Sequence, residues 1–384
     1  MRDKAPAYLA GAAAAASTVS IAASQILLGA AVLSLLLDRG KLRWPPVTLP
    51  LLLFMGWTLV SLAASPDPRA GLPQIKKFYE YLMLFAVFSA IRTLREVRWV
   101  IYVTIAGATL SAAWAVVQFA SIRSNTPVLF YHVYSNGARA TGFMSHWMTF
   151  SGITMMALML AGALILFDRG SAWLATVAVM GAGLLASFQR TMWAGTALGG
   201  MWLLWTRKKW LVALVPITGA VVLAASPLLR DRVQAIFQPQ QNVVDSTAHR
   251  AALRAIGWEM IKAHPLVGVG PEQVKVKLLD YAPSSVPSPW PTEWSKGHLH
   301  NVYFQYAAER GLPALAALLW FLARALYDFW TARRTNWMMP AAIATILAMM
   351  VAGLAEHNMN DSEPLGVFLA IIACGYAARD AQAS

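Results

Sequence analysis

The stretch Ala7–Leu37, AYLAGAAAAASTVSIAASQILLGAAVLSLLL, runs 31 residues without a charged side chain. One straight helix crosses the hydrocarbon of a bilayer in about 20 residues, and two full spans need about 35–40. The stretch therefore fits one long tilted helix or two short helices joined near Ser17–Ser24. That choice sets the orientation of everything after it. Further apolar segments follow at Thr48–Ala64, Phe78–Ile91, Val97–Ala120, Trp147–Phe167, Ala172–Phe188, Met192–Thr206, Trp210–Ala225, Val302–Leu326, Trp337–Leu354 and Pro364–Ala377. Between them lie four basic clusters: Arg39/Lys41/Arg43, Arg92/Arg95/Arg98, Arg207/Lys208/Lys209 and Arg324/Arg333/Arg334. If Ala7–Leu37 is two helices, all four clusters share a side with Arg2 and Lys4. Counted as one, it places Arg2 and Lys4 opposite the rest. Cytoplasmic loops carry the excess of Lys and Arg, so the charge pattern selects two helices and both termini cytoplasmic.

The expected fold class is thus an all-α polytopic integral membrane protein of about 12 transmembrane helices with one long periplasmic loop. Residues 1–225 would form helices 1–9, residues 226–301 the loop domain, and residues 302–384 helices 10–12. Composition agrees: 58% of the chain is apolar and only 13% charged, about half the charge an ordinary soluble domain carries. The net charge of +13 sits in short clusters between apolar runs, a pattern of membrane loops that argues against nucleic acid as partner. The apolar run after Lys4 is too long for the core of a cleavable signal and reads as a first span. The single cysteine, Cys374, leaves no intrachain disulfide to hold the loop, which must pack against the membrane body.

The same count places Ser121–Ser145, the turn at Gln189–Thr191, Ser226–Asn301 and Ala355–Glu363 on the outer side. The third is far longer than ordinary connections and should have its own structure. Asp245-Ser246-Thr247 offers N-cap side chains ahead of a helical pattern over Ala248–Lys262,. Arg250, Arg254 and Trp258 recur every four residues and share one face. His264-Pro265 ends that helix, Gly268-Val-Gly270-Pro271 makes a turn, and a second short helix is expected near Glu272–Tyr281. A Pro- and Trp-rich piece then runs to Lys296-Gly-His298-Leu-His300-Asn301, where the next span opens.

An interfacial helix snorkelling Arg toward lipid phosphates would explain much of this loop. Arg190 favours a site instead. It lies in a tight turn, Ser187-Phe-Gln-Arg190-Thr-Met-Trp193, at the hydrocarbon boundary, where a cation is costly unless it meets an anion. Arg139, followed by His146, is a third external cation beside a span. The tip Ala355–Glu363 reads as a solvated turn, with a polar wall of the same external cavity as the alternative. Glu309 could orient a histidine or pair with Arg310. A neutral histidine facing Arg side chains suits transfer from a phosphorylated lipid donor to a hydroxyl, the histidine acting as general base and the guanidinium groups stabilising a departing pyrophosphate. No DxD triplet, GxSxG or HExxH is present, and no metal or other cofactor is expected,.

These residues resemble the O-antigen ligase/polymerase superfamily, with the lipopolysaccharide O-antigen ligase as the best fit. The likeness is carried by Arg139-Ala-Thr-Gly-Phe-Met, by Ser187-Phe-Gln-Arg190, and by Arg250 upstream of His264-Pro-Leu-Val-Gly-Val-Gly270. The fourth piece is His300-Asn-Val-Tyr-Phe-Gln-Tyr-Ala-Ala-Glu309-Arg-Gly311. The resemblance implies a GT-C-like inner-membrane enzyme that moves O-antigen polysaccharide from undecaprenyl pyrophosphate to lipid A–core on the periplasmic face, with inversion and without metal or nucleotide. It implies His300 as base and Arg190 and Arg250 as pyrophosphate contacts. Arg139, Arg254, Lys296, His298, Asn301 and Glu309 are the expected substrate-binding residues. An O-antigen polymerase or a protein O-oligosaccharyltransferase would use the same donor with another acceptor. A lipid-linked glycan transporter is the alternative from another class, but it would need charged residues inside the spans.

Overall fold

The computed structural model describes residues 4–38, 42–125, 139–168, 170–234, 246–292 and 294–383. Arg2, Arg39, Lys41, Asp245 and much of the expected outer segment 121–145 lie outside them. Every described apolar segment is helical, and no strand occurs among the described residues. Ala7–Leu37 is two helices, α1 (Ala5–Ala16) and α2 (Ile21–Leu37). They fold back on one another through Ser17, whose hydroxyl lies 2.7 Å from that of Ser24, while Ser24 donates to the Ala13 carbonyl. These hydroxyls find their own partners inside the turn, as an apolar environment requires,.

The chain continues through α3 (Thr48–Ala63), α4 (Pro68–Lys76), α5 (Phe78–Ala90), α6 (Leu94–Asn125) and α7 (Trp147–Phe167). Next come α8 (Trp173–Ala186), α9 (Arg190–Arg207), α10 (Leu214–Ala225) and α11 (Pro227–Gln234). The loop region supplies α12 (Ser246–Ala263) and the single turn α13 (Val274–Lys277), and the chain ends with α14 (Val302–Thr331), α15 (Met338–Ala352) and α16 (Ser362–Ala383). Among the described residues, four helices are long and apolar enough to cross a membrane: α6, α7, α14 and all but the last residue of α16. Six shorter apolar helical stretches accompany them. Small residues bring the central helices together. A Cβ on Gly195 or Gly199 of α9 would stand 2.7 and 2.9 Å from the carbonyl oxygens of Ala348 and Ala344 on α15, so only glycine lets these backbones approach so closely.

The polar sequence between α11 and α14 docks on a break in α14. Gly311 adopts φ 82° and ψ 170° inside that helix, and Pro313 follows without an N–H. The carbonyls of Ala308 and Glu309 are thereby released, and they accept from Val269 N at 2.8 Å and Gly270 N at 3.0 Å. Leu312 N in turn donates to the Pro265 carbonyl at 2.8 Å. A side chain at Gly311 would place its Cβ 1.8 Å from the Leu266 oxygen. The His264–Gly270 and Glu309–Gly311 pieces of the sequence are therefore two halves of one joint. Leu253, Ile256 and Met260 of α12 complete it, packing with Val274, Leu278 and Leu299 into a small separate core against Ala307 and Ala308.

The loop, the N-termini of α7, α9 and α14, and the connection after α15 meet at one end of the bundle. Basic clusters mark the other end. Arg43 pairs with Asp380 near the end of α16, Arg98 with Asp168 just past α7, and Trp202 of α9 stacks on Trp330 of α14, which carries Arg333 over its ring.

Candidate active site

A cavity of 410 Å³ opens at the loop end of the bundle, and Arg139, Arg190, Arg250, His300 and Glu356 all line it. Residues from five separate stretches of chain converge there, so no single motif contains the site. Glu356 is the hub. Its side chain is fully buried and accepts from Gln189 Nε2 at 2.6 Å, from the Arg250 guanidinium, and from His300 Nδ1 at 3.2 Å. Gln189 passes the network on by accepting from Arg139 Nη1 at 3.5 Å. Arg139 also lies over the Trp147 ring, 4.9 Å from its centroid.

Local backbone geometry aims these groups. The turn between α8 and α9 is made by Phe188 at φ 55°, and His300 sits at φ 49°. Both are non-glycine residues in the left-handed region, a conformation that costs of order 1–2 kcal/mol and persists only where surrounding structure holds it. Asn301 does the holding after His300. Its side chain accepts from Tyr303 N and Phe304 N, capping α14, and its Nδ2 donates to the Leu354 carbonyl at 2.7 Å. This clamp ties the histidine turn to the segment that carries Glu356.

Three helix N-termini face the same cavity. His146 caps α7, accepting from Met148 N at 3.2 Å, Asn301 caps α14, and α9 begins at Arg190 with no side-chain cap. Helix N-termini favour anions because their first N–H groups lack internal partners and their dipoles add. Three guanidinium groups set against one carboxylate leave the cavity wall strongly cationic. The arrangement is a cationic pocket with four histidines, His146, His249, His298 and His300, in its wall.

Titration behaviour follows from the packing. Burial works against ionisation of Glu356, but the hydrogen bond from His300 and the charges of Arg250 and His300 outweigh it and hold the carboxyl below its usual range. Burial, reinforced by His300, pushes His298 down to about 4. Burial does the same to His249, also to about 4, against the opposing hydrogen bond with the Ser295 carbonyl. His146 is lowered too, by burial first and then by Arg139.

The other sequence candidates are placed as follows. His298 lines the cavity beside His300, with ring centroids 4.2 Å apart. Arg254 and Lys296 are exposed, and neither lines the cavity. Asn301 is buried, with its side-chain oxygen and Nδ2 engaged in the cap and the clamp. Glu309 is buried one compartment away, accepting from Glu272 N at 3.0 Å. It neither orients His300 nor pairs with Arg310, which donates to Gln74 Oε1 at 2.8 Å instead. The tip Ala355–Glu363 is corrected outright: Glu356, His357 and Asn358 are buried, so the alternative of a polar wall holds for Glu356 and the solvated turn does not. Reading the sequence also passed over His249, stacked on Trp294 and 5.7 Å ring to ring from His300. The signal available for Glu356 was its outer-side placement between two spans, close to a His and two Asn in nine residues.

Fold and cavity together define a helical membrane protein with an arginine-lined cavity at one end of its bundle. Residues 175–319 match the family described as O-Antigen ligase. That stretch contains Arg190, Arg250 and His300 and bears out the resemblance to the O-antigen ligase superfamily. Arg139 and Glu356 lie outside it, brought to the site by folding. A search of curated proteins finds no match to the chain.

Proposed function

We propose that this chain is an inverting, metal-independent glycosyltransferase that moves O-antigen polysaccharide from undecaprenyl pyrophosphate to a sugar hydroxyl of lipid A–core. In this reading about twelve helices span the bacterial inner membrane, both termini are cytoplasmic, and the cavity faces the periplasm. The basic clusters at the opposite end of the bundle support that orientation. The observation that carries the proposal is the gathering of Arg139, Arg190 and Arg250 with His300 around one cavity.

The residues divide the work by charge. Ionised Glu356 accepts a hydrogen bond from Nδ1–H of His300, which fixes the tautomer and leaves Nε2 with a free lone pair,. Nε2 takes the proton of the acceptor hydroxyl as its oxygen attacks C1 of the first donor sugar. The bond from C1 to the pyrophosphate oxygen breaks, and the electron pair leaves on the pyrophosphate. Arg139, Arg190 and Arg250, with the uncapped start of α9, stabilise that growing negative charge and are set in place before the reaction starts. Attack from the histidine side with departure toward the guanidinium side inverts C1. Glu356 is a positioning residue: it also orients Arg250, so base and anion site are adjusted by the same carboxylate.

Purified protein given undecaprenyl-pyrophosphate-linked glycan and lipid A–core, without metal or nucleotide, should transfer glycan in the presence of EDTA. Transfer to a growing glycan or a pilin, with none to lipid A–core, would move the chain to a polymerase or a protein O-oligosaccharyltransferase. Movement of lipid-linked glycan across vesicles without transfer would make it a transporter.

A further inference from the structure

Behind His298 lies a second, smaller chamber of 110 Å³. His298 and Met148 line both it and the main cavity, so the two are contiguous across these side chains. Its chemistry is the opposite of the first. Where the main cavity has three guanidinium groups, the described lining of this chamber carries the carboxyls of Glu272, Glu309 and Asp361, with Lys275 paired to Glu272 and Lys77 donating to the Asn360 carbonyl. Two of its lining residues each keep one polar atom without a hydrogen-bond partner. His357, 8% exposed, has a buried Nδ1 with no hydrogen-bond partner, and Asn358, 2% exposed, has a buried Oδ1 in the same condition. Buried polar atoms are rarely orphaned, because each costs about 1–3 kcal/mol. Orphans in the wall of one polar chamber therefore mark where a ligand's own polar groups would complete the network.

We propose that this chamber is a binding site for a neutral pyranose ring and that it seats a sugar of the acceptor. Sugar hydroxyls both donate and accept, which suits a wall that mixes carboxyls, amides and an imidazole. Met148 offers an apolar contact for the C–H face of a ring. A phosphate group finds no guanidinium in the described lining and is drawn instead to the arginines next door,. The two compartments thus sort their ligands by charge, the donor's pyrophosphate on the cationic side and the uncharged acceptor on the acidic side. His298 stands between them, one ring contact from His300. The assignment to the acceptor rests on the glycosyltransferase reading above. The sugar site itself does not.

Saturation-transfer NMR on the full chain in detergent micelles tests it, with methyl α-glucopyranoside and glucose 6-phosphate as probes and no donor present. The methyl glycoside should show saturation transfer that added glucose 6-phosphate, held by the arginines next door, does not displace. Asn358→Leu keeps the branched shape and removes the hydrogen-bonding groups, so the glycoside signal should fall about five-fold or more, while Arg190→Ala should keep it. Gly297→Leu is the second variant. Gly297 lines the chamber, and a Cβ there meets nothing within 4 Å, so it adds bulk without a clash in the fold and should also abolish the signal. No saturation transfer to the glycoside, or a signal that survives both variants, would overturn the proposal. So would displacement of the glycoside by glucose 6-phosphate. If the glycoside binds as expected and lipid A–core is never glycosylated, the chamber stands and the ligase reading falls. If ligation proceeds but both variants leave the KM for lipid A–core unchanged, the chamber falls and the ligase reading stands.

Discussion

Replacing Glu356 by Gln separates the role of the carboxylate from the shape of the site. The side chain is fully buried, and Gln fills the same volume. It can still accept from Gln189 or from His300, but it cannot satisfy His300, Arg250 and Gln189 together, because one of its two heads now donates. If the amide NH₂ turns toward His300, it donates to Nδ1, and the imidazole proton is forced to Nε2, where it blocks proton abstraction. General-base catalysis contributes about 10²–10⁴-fold, so kcat should fall about 10²–10³-fold, or about 2.7–4 kcal/mol in barrier height. The donor side should respond in the opposite sense. Three guanidinium groups would then face no carboxylate, so KM for the pyrophosphate-linked donor should stay level or drop. The assay is steady-state transfer with each substrate varied in turn, alongside a thermal melt to show that the fold is intact. Full kcat in a folded Glu356→Gln protein would refute the tautomer argument. A raised donor KM with unchanged kcat would refute it too, because the carboxylate would then be serving only the anion site.

Other consequences follow from the same geometry. His298 and His249 are held near 4 by burial, against about 6.5 in an unfolded chain. The unfolded state therefore binds protons first as pH falls, so stability present above about 6.5 is lost progressively toward 4. Melting temperature in micelles should drop across that window, and His298→Gln should flatten the drop, whereas an unchanged slope would contradict the burial account. Gly311→Ala would put a Cβ 1.8 Å from the Leu266 oxygen, so the loop cannot dock as it does here. Limited proteolysis should then cut readily between α11 and α14, and a protease-resistant, active Gly311→Ala protein would exclude the joint. Arg254→Ala and Lys296→Ala remove exposed cations outside the cavity and should change kcat less than about three-fold, as most exposed substitutions do little. Loss on the scale of Arg190→Ala at either position would extend the site beyond the cavity described.

Apolar period and loop charge made most of the helical layout legible. The break inside Ala7–Leu37 falls at Ser17–Ser20, within the span that charge counting demanded. The loop helix at Ser246–Ala263 and the turn after His264 also lie where caps, proline and glycine put them. The site was legible residue by residue but not as an assembly. His300, Arg190 and Arg250 each stand out as polar groups beside apolar runs, whereas Glu356 sits in a short polar tip of a kind that usually means solvent. What buries it is long-range: Arg250, Gln189 and His300 arrive from 106, 167 and 56 residues away, and no local pattern encodes that. Glu309 was misleading for a related reason. Its position one to two turns after His300 suggests contact, but helix geometry carries it down and around toward Glu272. The short helix Pro68–Lys76 went unread because its role is to bring Gln74 against Arg310 and Glu272, partners far along the chain.

The central claim is that His300 removes the acceptor proton while the arginines hold the leaving group. Single-turnover transfer from undecaprenyl-pyrophosphate-linked glycan to lipid A–core, compared between the unmodified chain and His300→Gln, tests it most directly. The account predicts that His300→Gln still binds the donor with near-normal affinity and transfers glycan at least about 10²-fold more slowly. Transfer at the full rate in His300→Gln, with donor binding intact, would contradict it.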